Sequence, residues 1–261
     1  MKAEFLFLGT GASLGVPVLG CDCSVCSERL PLNVRTRPSA LVTFPNQRFL
    51  IDPGPDFRQQ ALRHQIYSLN GVILTHAHHD HTAGIDDLRP IYYPLNEPLK
   101  MLLSKSTAEE VLMRYHYIFK SEKGMESHFI ERIKLQYLPD DYGQVDFLGM
   151  NLSYVSYRQG GMKVNGFRFG SLAYISDIKD YDEKIFDYLK GIKILVLSAL
   201  RYTPAPLHIS IDEAIIFAEK AGASQVWLTH LSHAIDYEKG NAYLPSWARL
   251  AYDGLTIEFT V

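Results

Sequence analysis

Short apolar runs separated by turns dominate the first third of the chain. Phe5–Leu8, Ala40–Phe44, Phe49–Ile51 and Gly71–Thr75 each read as a strand. The period then changes. Ser106 and Glu109 have capping-box spacing, and Val111, Leu112, Tyr115 and Ile118 form an apolar stripe, so a helix is predicted over Ser104–Phe119. Strands return at Asn151–Tyr157, Phe167–Phe169 and Leu172–Ser176. A helix follows around Asp182–Leu189, then a buried strand at Ile192–Leu197. Ser210 to Glu213 is a capping box opening a helix that stops near Gly222. Val226–Thr229 and Leu255–Thr260 predict the last strands. The mixture looks antiparallel first and βα-like later, which indicates a layered α/β architecture without fixing the strand order.

Composition narrows the class. The 261 residues are 47% hydrophobic and 21% charged, which excludes disordered and fibrous chains. Lys plus Arg is 26 against 29 Asp plus Glu, so the net charge of −3 gives no general attraction to nucleic acid or anionic membrane. No apolar run approaches the roughly 20 residues of a membrane span. The start, Met1 to Leu8, carries Glu4 and runs into Gly9-Thr10-Gly11, so it reads as a strand and not as a secretory signal. A cytoplasmic protein is expected. Cys21, Cys23 and Cys26 are the three cysteines; an odd cluster of this kind points to metal and not to disulfides.

The strongest chemical signal is Thr75-His76-Ala77-His78-His79-Asp80-His81, directly after the apolar Val72–Leu74. Imidazole nitrogen and carboxylate oxygen are the usual ligands of zinc, manganese and iron. In an extended stretch His76 and His78 point the same way. A turn after His78 sends Asp80 and His81 towards a second ion. His79 faces away and is left out of the ligand set.

His-x-His-x-Asp-His after a strand resembles the signature of metallo-β-lactamase-fold hydrolases. The resemblance implies a four-layer αββα sandwich with a two-metal site at one edge of the sheets. It implies further ligands at Asp177, bridging the ions after Tyr174-Ile175-Ser176, and at His230, after Leu228-Thr229. Asp52, in Asp52-Pro53-Gly54, is expected to orient a ligand.

The resemblance narrows further. Gly9-Thr10-Gly11, the Cys21-x-Cys23-x-x-Cys26 loop and Thr229-His230-Leu231-Ser232-His233 together look like the PhnP-like phosphodiesterases. It runs nearly end to end, which implies one domain over residues 1–261 with a helical insert around 95–141. It implies a structural zinc on Cys21, Cys23, Cys26 and His233. Three thiolates and an imidazole form a closed tetrahedral site with no open position. The cofactors expected are two divalent ions, zinc or manganese, plus that structural zinc. His208 is expected to contact phosphate or protonate the leaving oxygen. Gly9, Thr10, Gly11 and Gly15 are candidates for backbone amides approaching phosphate.

One position departs from the pattern. The third histidine that the resemblance implies on the first metal has Gln159 in its place. The first ion then has His76, His78 and Asp177, with Gln159 as a doubtful fourth; the second has Asp80, His81, His230 and Asp177. The expected activity is hydrolysis of a small cyclic or nucleotide-like phosphodiester by metal-hydroxide attack, with Asp80 hydrogen-bonding the nucleophile and His208 protonating the departing alkoxide. Arg35 and Arg37 are weaker candidates for a second phosphate. A tRNA-processing nuclease on the same fold is the first alternative. The 95–141 segment carries seven basic against eight acidic residues, which argues against an RNA-binding arm. A nucleotide-binding protein impaired in catalysis is the second. A homodimer is a candidate assembly.

Overall fold

Fourteen strands pair into two seven-stranded sheets in the computed structural model, which describes residues 1–119 and 132–261. The first sheet contains β1 (Lys2–Gly9), β2 (Ser39–Phe44), β3 (Gln47–Ile51), β4 (Gly71–Ile73), β5 (Leu99–Leu103), β6 (Ile133–Tyr137) and β14 (Thr256–Thr260), in the order β14-β1-β2-β3-β4-β5-β6. The second contains β7 (Tyr142–Phe147), β8 (Met150–Gln159), β9 (Met162–Phe169), β10 (Leu172–Ile175), β11 (Ile194–Ser198), β12 (Gln225–Thr229) and β13 (Ala248–Leu250), in the order β13-β12-β11-β10-β9-β8-β7. Each sheet is antiparallel at first and parallel later. The switch falls at β3 in one and at β10 in the other.

Alternation along the strands sorts side chains into layers. Phe5 and Phe7 of β1 join Tyr174 of β10 and Val196 of β11 in a core between the sheets. Leu8 faces the other way, into a cluster with Phe57, Ile91, Ala108 and Val111 of the helices Phe57–Arg63, Arg89–Tyr92 and Lys105–Arg114. On the far side of the second sheet, Ala173, Ile175, Leu195 and Leu197 meet Ile185, Ala214 and Phe217 of the helices Ile185–Leu189 and Ile211–Ala221. The result is the expected αββα sandwich. Strands buried on both faces have no polar face to display, which explains why β10 and β11 read as continuous apolar runs.

The capping box at Ser210 forms with both of its hydrogen bonds, and Gly222 ends that helix with φ of 69°. Three expectations need correction. The helix predicted over Ser104–Phe119 breaks at Tyr115 into Lys105–Arg114 and His116–Phe119, with Ser104 and not Ser106 as its N-cap. The segment 95–141 is not a purely helical insert, because it carries β5 and β6 of the first sheet. Short apolar runs such as Leu99–Leu103 do not distinguish strand from helix by period. Its residues 120–131 lie outside the described residues. Finally, the helix expected around Asp182–Leu189 starts at Ile185.

Candidate metal centres

The chemistry-bearing residues gather where strands of the parallel halves end. Asp52 follows β3, His76 and His78 follow β4, Asp177 follows β10 and His230 follows β12. Carboxyl ends of parallel strands around a topological switch are where open α/β sheets build sites. Asp80 and His81 sit in the helical turn His79–Thr82, for which His78 is the N-cap. Three of the strand-end residues leave ordinary backbone space: φ is 53° at Asp52, 55° at Asp177 and 59° at His230. The left-handed conformation ends each strand abruptly.

The side chains converge from both sheets. His76, His81 and Asp177 present ligand atoms within 4.8 Å of one another, and so do Asp80, His81 and His230. Asp177 lies between the two sets. Its Oδ2 is 3.6 Å from His76 Nε2 and 3.4 Å from His81 Nε2, while Oδ1 is 3.2 Å from His230 Nε2. His78 Nδ1 lies 3.0 Å from His76 Nε2, which brings the remaining histidine to the first set. His79 is exposed.

Asp52 sits behind this group. His81 Nδ1 donates to its Oδ2 at 2.8 Å, while the Thr75 amide and hydroxyl donate to Oδ1 and Oδ2 at 2.8 and 2.7 Å. A carboxylate on Nδ1 fixes the proton there and leaves Nε2 as the nitrogen with a lone pair. Asp52→Asn keeps the shape and tolerates the left-handed backbone but removes the anionic acceptor. The substitution is expected to weaken metal binding by about 10- to 100-fold. Chelator competition on the folded mutant measures it; unchanged affinity removes Asp52 from this role.

The residues fit divalent cations. Asp80 Oδ2, His81 Nε2, both His230 nitrogens and Gln159 Oε1 are buried without a hydrogen-bond partner. Unmatched buried polar atoms are costly, and three of these stand together: Asp80 Oδ2 is 3.5 Å from both His81 Nε2 and His230 Nε2. The charges agree. Burial raises the cost of ionising Asp80 and Asp177, yet the neighbouring histidines hold both carboxyls well below their ordinary range. Burial likewise disfavours charge on His81, but Asp80, Asp177 and Asp52 draw it well above its ordinary value. The carboxylates thus demand positive charge from their surroundings.

Gln159 ends β8 and is buried within the group. Its amide nitrogen donates to Asp177 Oδ2 at 3.2 Å and lies 3.1 Å from His208 Nε2. Tyr157 is not an alternative in its place, because its hydroxyl is spent on the Ser176 carbonyl. His208, on the loop ahead of the helix Ile211–Ala221, stacks on His230 with ring centroids 4.9 Å apart. Burial, with His230 adding to it, pushes its pKa down to about 4.

The cysteines gather around one nitrogen. Cys21, Cys23 and Cys26 Sγ lie 3.2, 3.6 and 3.6 Å from His233 Nδ1. The backbone of Cys26 pulls the Cys23 thiol down to about 7, with help from Cys21 and His233, whereas burial pushes the Cys26 thiol up. Three soft thiols and a borderline imidazole gathered this closely suit zinc.

The glycine-rich turn spends its amides within the chain. Thr10 is buried, and its amide and hydroxyl both donate to Asp253 Oδ1, at 2.9 and 2.7 Å. The Gly11 amide donates to the Thr36 carbonyl. Gly9 pairs with Ser39 in the sheet. The glycines at 9 and 11 are needed for close approach: a Cβ on Gly9 would stand 2.0 Å from the Arg37 carbonyl, and one on Gly11 2.9 Å from that of Arg35. Arg35 is buried and donates to the Ser232 and Ile235 carbonyls, and Arg37 pairs with Asp56 at 3.0 Å. Asp253 also accepts from the Thr36 amide and hydroxyl, a hub that the sequence reading missed. Asp253→Ala strands four donors and is expected to cost about 3 kcal/mol or more, read from the denaturant midpoint. A loss below about 1 kcal/mol would show that the hub is not structural.

A cleft of about 560 Å³ lies alongside, lined by Ala77, Ser106, Glu109, Arg158, Gly160 and Lys163 among others. Ala77 separates His76 from His78 in the chain, and its carbonyl accepts from Arg114 of the helix Lys105–Arg114.

Comparison with known proteins places these features. Residues 47–231 match the model of the beta-lactamase superfamily domain. A solved structure described as a new diphosphatase from the PhnP family is 35% identical, with a TM-score of 0.91, and covers 99% of this chain and 98% of its own. An octanoyltransferase of Porphyromonas gingivalis is 34% identical over 253 residues, 96% of this chain. The chain spans only 50% of that relative, so the name belongs to a protein half of which has no counterpart here. The short form of human tRNase Z shares the fold, with 15% identity and a TM-score of 0.67 over 97% of this chain and 98% of its own. Among the described residues no helix is long and apolar enough to cross a membrane.

Proposed function

The chain belongs to the beta-lactamase superfamily and, within it, to the PhnP family, and from that premise we propose that this metal-dependent hydrolase cleaves a small phosphodiester, cyclic or nucleotide-like. The observation that carries the reading is the position of Asp177. One buried carboxylate faces His76 and His81 with one oxygen and His230 with the other, the arrangement of a ligand shared by two ions. In this reading His76, His78 and Asp177 hold one ion, and Asp80, His81, His230 and Asp177 the other.

Two divalent ions bound there supply Lewis acidity at the phosphoryl oxygens and make water a stronger acid. The chain's own groups do the rest. Asp52 keeps the His81 proton on Nδ1, so the ring cannot turn its lone pair away. Asp80 carries a buried oxygen with no partner, suited to accept a hydrogen from the attacking water and orient it. The cleft beside Ala77 and Gly160 receives the remainder of the substrate. Its volume suits a small molecule. Its lining charges are mixed, Glu109 and Glu110 against Arg158 and Lys163, with Glu110 paired to Arg114 at 3.0 Å and Lys163 to Asp141. A polyanion such as RNA asks instead for a run of unmatched positive charge.

The test is a hydrolysis screen of protein reconstituted with zinc, manganese, cobalt or iron. Cyclic diesters, linear diesters, dinucleoside diphosphates and a precursor tRNA are offered side by side. Turnover of a small diester supports the proposal. Cleavage of the tRNA alone, or tight nucleotide binding without turnover under every metal, overturns it.

A further inference from the structure

Gln159 stands where an imidazole is expected, and the question is what the centre does without it. A glutamine amide offers only a neutral oxygen, a poor match for zinc beside imidazole. The nearest imidazole outside the strand ends is His208. Its ligand atom lies within 4.8 Å of those of Asp177 and His230, a third grouping of metal-ligand type beside the two already described. The His208 ring lies at 25° to that of His230, so the two imidazoles approach the same carboxylate nearly in parallel.

From this geometry we infer that His208 is itself a metal ligand, joining Asp177 and His230 at the ion that Asp80 and His81 also serve. Three further observations support it. Among the described residues no carboxylate is hydrogen-bonded to His208; its contact is the Gln159 amide nitrogen, 3.2 Å from Nδ1 and 3.1 Å from Nε2. That nitrogen is a donor, so the ring presents its lone pair to it, and a metal would take that lone pair as the amide turns away. The loop is also firmly built. The Leu200 amide donates to the Ile209 carbonyl at 3.1 Å, and the Ile211 amide to the Arg201 carbonyl at 3.0 Å. Ser210 then caps the helix. His208 is thus held near the cluster by backbone structure on both sides. Finally, Gln159 Oε1 has no partner, so the amide is free to exchange its present contact without breaking another of its own at that atom.

The inference rests on the cluster being a metal centre, and the experiment separates the two. Wild type, His208→Ala, His208→Gln, Gln159→His and the double variant Gln159→His/His208→Ala are stripped with chelator and loaded with cobalt(II). Cobalt stoichiometry, affinity by chelator competition and the visible absorption of the bound ion are recorded. If His208 is a ligand, both His208 variants lose at least about 100-fold in affinity for one cobalt and change its visible bands. The double variant stays weak at that ion, because position 159 meets Asp177 at Oδ2, the oxygen facing His76; recovery of the cobalt there would overturn the assignment of His208 to the ion at His230. The His208→Gln variant keeps the reading available if His208→Ala does not fold, which circular dichroism reports. Unchanged affinity and spectrum in both His208 variants, with only turnover reduced, overturn the inference and return His208 to proton donation or phosphate contact. A wild type that binds cobalt at the cysteine site alone overturns the metal-centre reading itself.

Discussion

Asp177→Ala is expected to empty both hydrolytic positions and to lower turnover by about 1,000-fold or more, while one zinc per chain remains. Among the described residues, Asp177 is the one carboxylate that meets His76, His81 and His230 together. Without it the first set is left with His76 and His78 alone, and the second with Asp80, His81 and His230, one carboxylate short. The loss in rate reflects several kcal/mol of charge stabilisation withdrawn from the transition state, at about 1.4 kcal/mol per factor of ten. Elemental analysis after dialysis gives the metal count, and initial rates on the best diester give the activity. The remaining zinc marks the cysteine site, more distant in the chain and independent of Asp177. A mutant that keeps two hydrolytic ions, or that keeps its rate, rules out the shared-ligand role.

The second large effect concerns stability. Cys23→Ser should remove that remaining zinc and lower the melting temperature by about 10 °C or more. His233 lies 210 residues from Cys23 in sequence, and their contact ties the N-terminal loop to the chain beyond β12. Metal at such a site contributes its binding free energy directly to the folded state, because the unfolded chain has no such cluster. Several kcal/mol are therefore at stake. Calorimetry with parallel zinc analysis tests the prediction. Unchanged zinc content and unchanged melting would show that the four residues hold no ion.

Much of this was readable before any coordinates. The spacing of His76, His78, Asp80 and His81 after an apolar strand carries the chemistry locally, since strand and turn geometry alone bring such side chains together. Asp177 and His230 are different. Their recognition came from resemblance, because no local pattern says that an aspartate after β10 and a histidine after β12 face the same space. The cross-sheet contacts of Asp253 were invisible for the same reason: Thr10, Thr36 and Asp253 are joined only by the fold. In the glycine-rich turn, glycine signals close backbone approach without saying to what. Here the neighbours are the chain's own carbonyls. The 95–141 segment shows the ordinary ambiguity of a five-residue apolar run.

The left-handed residues that end β3, β10 and β12 have a consequence for which amino acids can ever occupy the site. A side chain bearing Cβ pays about 1–3 kcal/mol to sit at such φ values, but Asn, Asp and His are several-fold enriched there. Among the common metal ligands, only aspartate and histidine are in that group. Glutamate and cysteine could coordinate equally well but find the backbone hostile. The strand ends therefore act as a filter on ligand identity before any ion arrives. Asp177 and His230 are chosen twice, by the metal and by the turn. Gln159 stands on a strand that ends without a left-handed residue at that position. There the backbone imposes no such choice, and that is the position where glutamine stands in place of the histidine that the resemblance implies.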